Sequence, residues 1–293
     1  MSITGIQVAL VTPFHADGSI DDAGIKHHVD RMVDAGIHGL VPLGTTGEFT
    51  TMTHAERRHV TETVIEAAAG RVKVLPHTGA QSTDETVELS RHAQQAGAAG
   101  VMIVPPYYDP LRLGELHAHL RAVGEAIDIP IVYYNVPGAT GITLNAQELA
   151  GLGDIPNVEY IKDTSGDFST VTAMLIGYAD RITLFNGWDT LTFGALATGA
   201  KGSVWGMANL LPEQAVRLFE AIAIKGDLAE GRRLWQGLWK VNDLLESHNY
   251  VAAIKGGLEA IGESAGPVRA PIQPVSAEVR DEIGAAVRQA QQL

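Results

Sequence analysis

Four apolar segments in the middle of the chain indicate its fold most clearly: GVMIV at residues 100–104, IPIVYY at 129–134, VEYI at 158–161 and ITLF at 182–185. All four are rich in β-branched or aromatic residues, which favour β-strands. Helical segments separate them. Apolar strands that alternate with helices predict a parallel sheet whose two faces are both covered.

The same alternation extends over most of the chain. Eight strand–helix units at this length favour a closed (β/α)8 barrel, also called a TIM barrel, over an open doubly wound sheet. Helix starts are marked by capping boxes in THAE and STDE. The four further predicted strands span residues 6–11, 39–43, 72–75 and 202–204, and the intervening helices include residues 21–35, 53–69, 82–95, 145–149 and 168–176.

Strand patterns end after about residue 225. The rest of the chain predicts three helices, at residues 227–245, 250–261 and 276–291. We therefore expect an α/β protein in two parts: a catalytic (β/α)8 barrel over residues 1–224 and a C-terminal helical region over residues 225–293.

Composition excludes several classes of function. The chain has 293 residues, of which 34 are acidic and 21 basic, giving a net charge of −13 with no Lys/Arg run. This charge disfavours a nucleic-acid partner. The absence of cysteine excludes disulfides and thiolate chemistry. Without a secretory signal or an 18-residue apolar stretch, we expect a cytoplasmic protein with no membrane partner.

Candidate site residues follow the predicted strands, because barrel chemistry collects at the C-terminal ends of strands. After the second strand comes GTTGE at residues 44–48, where Thr45, Thr46 and Gly47 can offer N–H groups and hydroxyls to a carboxylate or phosphate. An ordinary glycine-rich turn is the alternative. Tyr108 and Tyr134 follow the fourth and fifth strands and are either acid/base groups or packing residues.

Lys162 directly follows the sixth strand, in YIKDT at residues 160–164. A desolvated amine is a competent nucleophile toward a carbonyl carbon. The alternative is a buried ion pair with Asp163 or another acid. The eleven histidines show no metal-ligand spacing, and no dinucleotide fingerprint follows a strand, so we expect neither a metal nor a nucleotide cofactor.

Together these motifs resemble the dihydrodipicolinate synthase / N-acetylneuraminate lyase superfamily over essentially the whole chain. The resemblance implies a homotetramer, built as a dimer of dimers, and class I aldolase chemistry on a small 2-oxo acid with no cofactor beyond a covalent imine. The motifs that carry it, all in family order, are GTTGE at 44–48, PYY at 106–108, YNVP at 134–137, IKDT at 161–164 and GPVRAP at 266–271.

The resemblance also implies residue roles. Lys162 would form a Schiff base with the 2-oxo group, and Tyr134 would be the general acid/base. The substrate carboxylate would lie against Thr45, Thr46 and Gly47. Thr45 and Tyr108 would extend the proton relay, Tyr108 reaching in from the neighbouring subunit, and the carbonyl of Val204 would lie near the lysine amine.

Three positions indicate the branch of the superfamily. Ala139 stands where the lysine-biosynthesis branch carries an arginine that binds the carboxylate of aspartate semialdehyde. Thr164 and Asp189 resemble the polar groups that the sugar-acid branches place near substrate hydroxyls. Asp189 as a helix N-cap is the alternative.

We therefore predict a Schiff-base-forming lyase, aldolase or dehydratase, acting on a 2-keto-3-deoxy sugar acid or another 4-hydroxy-2-oxo acid. The alternative is 4-hydroxy-tetrahydrodipicolinate synthase, which joins pyruvate and aspartate semialdehyde. A non-catalytic barrel that binds a 2-oxo acid and a phosphate-dependent isomerase are weaker hypotheses.

Overall fold

The computed structural model describes residues 2–293 and contains eight parallel strands with helices between them. The predicted barrel with a helical extension is confirmed, and each predicted strand is present. The strands are β1 (Gly5–Ala9), β2 (Gly39–Val41), β3 (Lys73–Val74), β4 (Val101–Ile103), β5 (Ile131–Asn135), β6 (Val158–Asp163), β7 (Thr183–Asn186) and β8 (Gly202–Trp205).

The sheet closes into a barrel between β3 and β4. Neighbouring strands follow the order β3-β2-β1-β8-β7-β6-β5-β4. A parallel bridge joins His77 to Met102 across the remaining gap. There the N–H of Thr78 donates to the Met102 carbonyl at 2.9 Å, and the N–H of Met102 donates to the Pro76 carbonyl at 3.0 Å. Pro76 has no N–H of its own, so the ladder beyond β3 is interrupted.

Helices cover the outside of the barrel and begin where the sequence predicts caps. Thr53 and Glu56 form the expected capping box, and the Ser82 hydroxyl accepts the N–H of Glu85. The helices are α1 (Asp22–Asp34), α2 (His54–Ala68), α3 (Thr83–Ala96), α4 (Leu113–Gly124), α5 (Pro137–Thr140), α6 (Ala146–Gly151), α7 (Phe168–Gly177), α8 (Thr192–Thr198), α9 (Pro212–Phe219), α10 (Leu228–Glu246), α11 (Tyr250–Ala260) and α12 (Ala277–Ala290).

The first strand is shorter than the sequence predicts. It ends at Ala9, whereas the apolar run continues through residue 11. The N–H of Val11 donates instead to the side-chain Oδ1 of Asn209 at 3.2 Å, and Asn209 in turn donates to the Ala9 carbonyl at 2.8 Å. A side chain from the segment after β8 thus replaces the strand ladder at this point.

The three C-terminal helices α10, α11 and α12 match the predicted ones. Their buried residues, among them Leu238, Ile254 and Ile283, share one hydrophobic cluster with barrel residues such as Trp205 and Val8. The division of the chain after residue 224 stays a prediction. Within residues 2–293, none of the helices combines the length and the apolar character that a membrane span needs.

Candidate active site

A cavity of about 290 Å³ lies at the C-terminal ends of the strands. Its wall comes from the ends of six strands and from two of the C-terminal helices, so both parts of the chain build it. The residues that line it are Ala9, Thr45, Thr46, Tyr134, Val136, Ala139, Lys162, Thr164, Gly187, Trp188, Asp189, Val204, Gly206, Glu246 and Tyr250.

Lys162 lies in this cavity, on β6 and beside Tyr134 on β5. The two residues are register partners, and the Lys162 amine is 4.0 Å from the centroid of the Tyr134 ring. Lys162 is only 6 % exposed. Among residues 2–293, no carboxylate lies within 4.0 Å of its amine. Asp163 instead accepts the Asn135 amide at 2.7 Å and the Ser165 hydroxyl at 2.7 Å, so the structure does not contain the alternative ion pair.

The space for the Lys162 side chain depends on Gly187, which follows β7. A Cβ atom at this position would lie 2.7 Å from Cε of Lys162 and 2.3 Å from the Thr164 hydroxyl. The Thr164 hydroxyl donates to the Gly187 carbonyl at 3.2 Å. Glycine is therefore required by close approach, and Thr164 is held at the cavity wall.

The predicted GTTGE loop lies opposite Lys162. Oγ1 of Thr45 is 3.5 Å from the Tyr134 hydroxyl, and Thr46 is buried. A Cβ at Gly47 would lie 2.6 Å from the backbone nitrogen of Leu43, so the turn needs glycine there. Leu43 itself adopts a left-handed φ of 63°, an unfavourable conformation for this residue type. Such strain persists only where the surroundings enforce it, which is common at functional sites.

A buried ion pair fixes the end of this loop. Glu48, also at a positive φ, places Oε1 2.7 Å from the Lys255 amine, and its Oε2 accepts the N–H of Arg269 at 2.8 Å. Burial lowers the pKa of Lys255, and the adjacent Glu48 opposes that shift. The Lys255 amine is thus held in a structural ion pair. The loop that carries Thr45 is tied to the C-terminal region.

Asp189 lies on the cavity wall but does not cap a helix. Its Oδ2 accepts the N–H of Met207 at 3.1 Å and the hydroxyl of Tyr250. Burial raises the pKa of Asp189 to about 7, and the Tyr250 hydrogen bond opposes that shift. The N-cap alternative is therefore wrong, because the carboxyl group bonds to distant elements.

Two cavity residues, Tyr250 and Glu246, are absent from the sequence-based prediction. Tyr250 is the first residue of α11, and Glu246 is the last residue of α10. Glu246 accepts the N–H of Thr190 at 3.0 Å and its hydroxyl at 2.8 Å. Because both residues follow the last strand by about 40 residues or more, no strand-end pattern could reveal them.

The remaining predicted residues divide between the cavity and the surface. Val204 is buried and lines the cavity, and Ala139, which is exposed, also lines it. Tyr108 lies outside the cavity, 91 % exposed, and its N–H donates to the Gln81 side chain at 3.3 Å. Its expected reach into a neighbouring subunit stays a prediction.

The cavity is acidic apart from one amine. In the part of the chain that the structure describes, Lys162 is the one lysine or arginine that lines it, whereas two acidic residues, Asp189 and Glu246, do so. Ala139 contributes no charge. This lining suits hydroxyl groups, because a carboxylate placed there would face two acidic side chains without a cation.

Comparison with known proteins finds the same fold and similar sequences. Residues 2–290 match the sequence model of the Dihydrodipicolinate synthetase family. The chain is 39 % identical over 290 residues to a 4-hydroxy-tetrahydrodipicolinate synthase of Sorangium cellulosum, covering 98 % of this chain and 96 % of that protein. It is 37 % identical over 271 residues to the Pelobacter propionicus protein of the same name, covering 92 % and 93 %.

A solved structure has the same fold as this chain. The chloride-inhibited dihydrodipicolinate synthase from Acinetobacter baumannii, in complex with pyruvate, superimposes with a TM-score of 0.95 at 29 % identity and 100 % coverage of both chains. The names of these relatives favour the synthase alternative over the sugar-acid hypothesis.

Proposed function

Since this chain belongs to the dihydrodipicolinate synthetase family and is a lyase of the class I aldolase type, we propose that Lys162 forms an imine with the carbonyl group of a 2-oxo acid. The observation that carries this proposal is the burial of the Lys162 amine in the cavity, with no carboxylate of residues 2–293 within 4.0 Å. An unpaired amine in a small cavity is available as a nucleophile.

The imine would serve as an electron sink. The amine attacks the carbonyl carbon, water leaves, and the resulting iminium acidifies the adjacent carbon or weakens the next C–C bond. The burial of Lys162 limits access of bulk water to this intermediate. No metal or organic cofactor enters the scheme.

Thr45, Thr46 and Tyr134 supply the remaining groups in this proposal. The GTTGE loop offers N–H groups and hydroxyls to the carboxylate of the 2-oxo acid. The centroid of the Tyr134 ring lies 4.0 Å from the Lys162 amine. The Tyr134 hydroxyl lies 3.5 Å from Oγ1 of Thr45. A phenol in that position can move protons to and from the substrate as a general acid/base.

For the rest of the substrate, the geometry supports a hydroxylated chain, as in a 2-keto-3-deoxy sugar acid. Thr164, Asp189 and Tyr250 provide polar groups along the wall beyond Lys162, and Ala139 and Glu246 provide no cation there. A second carboxylate would be desolvated without a partner, at a cost of about 2–5 kcal/mol in lost binding. Neutral hydroxyls do not incur this penalty.

The second candidate is 4-hydroxy-tetrahydrodipicolinate synthase, with pyruvate and aspartate semialdehyde as substrates. The relatives at 37–39 % identity carry that name, and the Acinetobacter baumannii structure holds pyruvate. This candidate shares the imine on Lys162 and differs in the second substrate.

Two measurements test the proposal. Borohydride reduction in the presence of pyruvate should attach a pyruvyl group to Lys162, located by peptide mapping. Lys162→Ala should abolish labelling, whereas Lys201→Ala, which alters an exposed lysine before β8, should leave it unchanged. Labelling at another lysine would contradict the assignment.

A panel of 2-keto-3-deoxy acids, with aspartate semialdehyde plus pyruvate as the competitor, then separates the two candidates by kcat/KM. Labelling without turnover of any panel member would favour the non-catalytic binding barrel.

We also propose a dimer of dimers, in which Tyr108 of one subunit contributes to the site of another. The exposure of Tyr108 in the single chain is consistent with this arrangement. Light scattering of the purified protein, together with the effect of Tyr108→Phe on turnover, tests it.

A further inference from the structure

The hydrogen-bonded pair of Asp189 and Tyr250 has no role in imine formation, yet it borders the same cavity as Lys162. The Tyr250 hydroxyl donates to Oδ2 of Asp189, which also accepts the N–H of Met207. Within residues 2–293, Oδ1 of Asp189 has no protein hydrogen-bond partner, although Asp189 is only 5 % exposed. The pair therefore retains hydrogen-bonding capacity toward the cavity.

The backbone after β8 makes room for this phenol. A Cβ atom at Gly206 would lie 2.1 Å from the Tyr250 hydroxyl oxygen, so only glycine permits the present position of the hydroxyl group. Glu246, the nearest further acid, is engaged by the N–H and hydroxyl of Thr190. Tyr250 is thus held at the cavity wall by Asp189 on one side and by a glycine contact on the other.

The two phenols of the cavity lie on different sides of Lys162. Tyr134 is on β5, which pairs with β6 on one side, and Asp189 follows β7, which pairs with β6 on the other side. Removal of a hydroxyl from carbon 4 of an imine-bound 2-oxo acid needs two groups, a base for carbon 3 and an acid for the leaving oxygen. Cleavage of the bond between carbons 3 and 4 needs a base for the 4-hydroxyl alone.

We propose that Tyr250 is a catalytic acid that protonates the hydroxyl leaving carbon 4, with Asp189 as the positioning residue behind it, so that the site dehydrates its substrate. This inference rests on the proposed imine at Lys162. It assigns protonation of the leaving hydroxyl to Tyr250 and Asp189, because the first proton-transfer pair, Tyr134 and Thr45, does not provide this step.

The step balances without a further reactant. Tyr134, the general acid/base of the proposed function, removes a proton from carbon 3, and the C–H electrons form an enamine with the imine carbon. The C4–O bond then breaks as the double bond between carbons 3 and 4 forms. Tyr250 gives its proton to the oxygen, which leaves as water, and the Asp189 carboxyl proton moves to Tyr250. Hydrolysis of the imine releases an unsaturated 2-oxo acid, so the net change is loss of one water.

The direction of the hydrogen bond follows the protonation of Asp189. When Asp189 carries a proton, its O–H donates to the phenol oxygen, and the Tyr250 proton becomes free to point into the cavity. The charged and titratable groups facing the pair are Glu246 from α10, Lys162 from β6 and Tyr134 from β5. Because burial raises the pKa of Asp189 to about 7, the protonated form is populated near neutral pH.

The test compares the wild-type protein with Tyr250→Phe, Asp189→Asn and a control, Tyr178→Phe, which alters a tyrosine outside the cavity. Three quantities are measured: borohydride trapping of pyruvate, water loss from five- and six-carbon 2-keto-3-deoxy acids, and the pH profile of that reaction. We expect Tyr250→Phe to retain trapping within about threefold while dehydration falls at least 100-fold. Asp189→Asn should flatten the fall in rate that the wild type shows above about pH 7.

Each contrary result has a distinct meaning. A wild-type protein that does not trap pyruvate overturns the proposed function itself. If the protein traps pyruvate but cleaves every acid that it turns over to pyruvate and an aldehyde, dehydration is overturned. Dehydration is also overturned if the protein traps pyruvate and turns over none of the acids. Dehydration that proceeds in Tyr250→Phe within tenfold of the wild type overturns the role of Tyr250, and equal losses of trapping and dehydration assign it a structural role.

Discussion

The Lys162 amine lies 4.0 Å from the centroid of the Tyr134 ring, on the face of an aromatic residue that is its register partner in the next strand. The contact with the aromatic face positions the end of the Lys162 side chain without a carboxylate from residues 2–293. Since no ion pair with residues 2–293 occupies the Lys162 amine, a carbonyl compound can reach it. The Tyr134 hydroxyl, at the far end of the same ring, is directed to Thr45.

Tyr134→Phe should slow turnover by ~10²–10⁴-fold, because it removes the proton-transfer group while keeping the ring beside Lys162. Imine formation with pyruvate should persist in part. Single-turnover kinetics with a 2-keto-3-deoxy acid, combined with borohydride trapping, measure both steps. A loss of less than tenfold in the bond-breaking step would assign Tyr134 to packing.

Ala139 should limit the use of aspartate semialdehyde. We expect the wild-type kcat/KM for aspartate semialdehyde plus pyruvate to lie below that for the best 2-keto-3-deoxy acid, and Ala139→Arg to raise it at least tenfold, about 1.4 kcal/mol. Ala139→Leu is the matched control, since it adds volume without charge. If the wild type prefers aspartate semialdehyde, the synthase alternative is correct and a basic residue outside this cavity must bind its carboxylate.

Gly187→Ala should reduce the rate of borohydride trapping at least tenfold, because the added Cβ would lie 2.7–2.8 Å from the Lys162 side chain. The control is Gly114→Ala, where no atom lies within 4 Å of the added Cβ. Circular dichroism verifies that both variants are folded. Normal trapping in Gly187→Ala would show that the Lys162 side chain has room to shift.

Glu48→Gln should destabilise the protein by about 3–5 kcal/mol, since it leaves Lys255 buried without its counter-charge. Both side chains are at most 3 % exposed in the ion pair. Urea unfolding measures the change, and the double variant Glu48→Gln/Lys255→Met should recover part of it. A loss below 1 kcal/mol in the single variant would mean that the pair contributes little.

Asp189 should make stability fall with rising pH. Burial raises its folded-state pKa from 3.8 to about 7, so the protonated form is favoured by folding. That contribution is complete below pH 3.8 and is lost as the pH rises to about 7. The melting temperature of Asp189→Asn, relative to that of the wild type, should therefore rise between pH 5 and pH 8. A constant difference across this range would refute the shift.

The strand-end residues of the site are predictable from the sequence, and the helix residues are not. Lys162 and Tyr134 follow from the apolar runs that precede them, because parallel strands bring their C-terminal ends to one edge. Tyr250 is 61 residues from Asp189 along the chain. It is the first residue of an apolar helix, so the sequence pattern indicates only a packing role for Tyr250. The end of β1 depends on Asn209 in the same way, since a long-range side-chain contact overrides the local strand pattern.

The ion pair between Glu48 and Lys255 has a consequence for the synthesis of the protein. Residues 1–224 include the lysine, the tyrosine and the threonines of the site, whereas the partners that fix the Thr45 loop are supplied by Lys255 and Arg269. On the ribosome, a growing chain therefore has its reactive amine long before it has a fixed recess for the carboxylate of a 2-oxo acid. The loop that carries Thr45 can therefore be fixed only after both Lys255 and Arg269 have been synthesised.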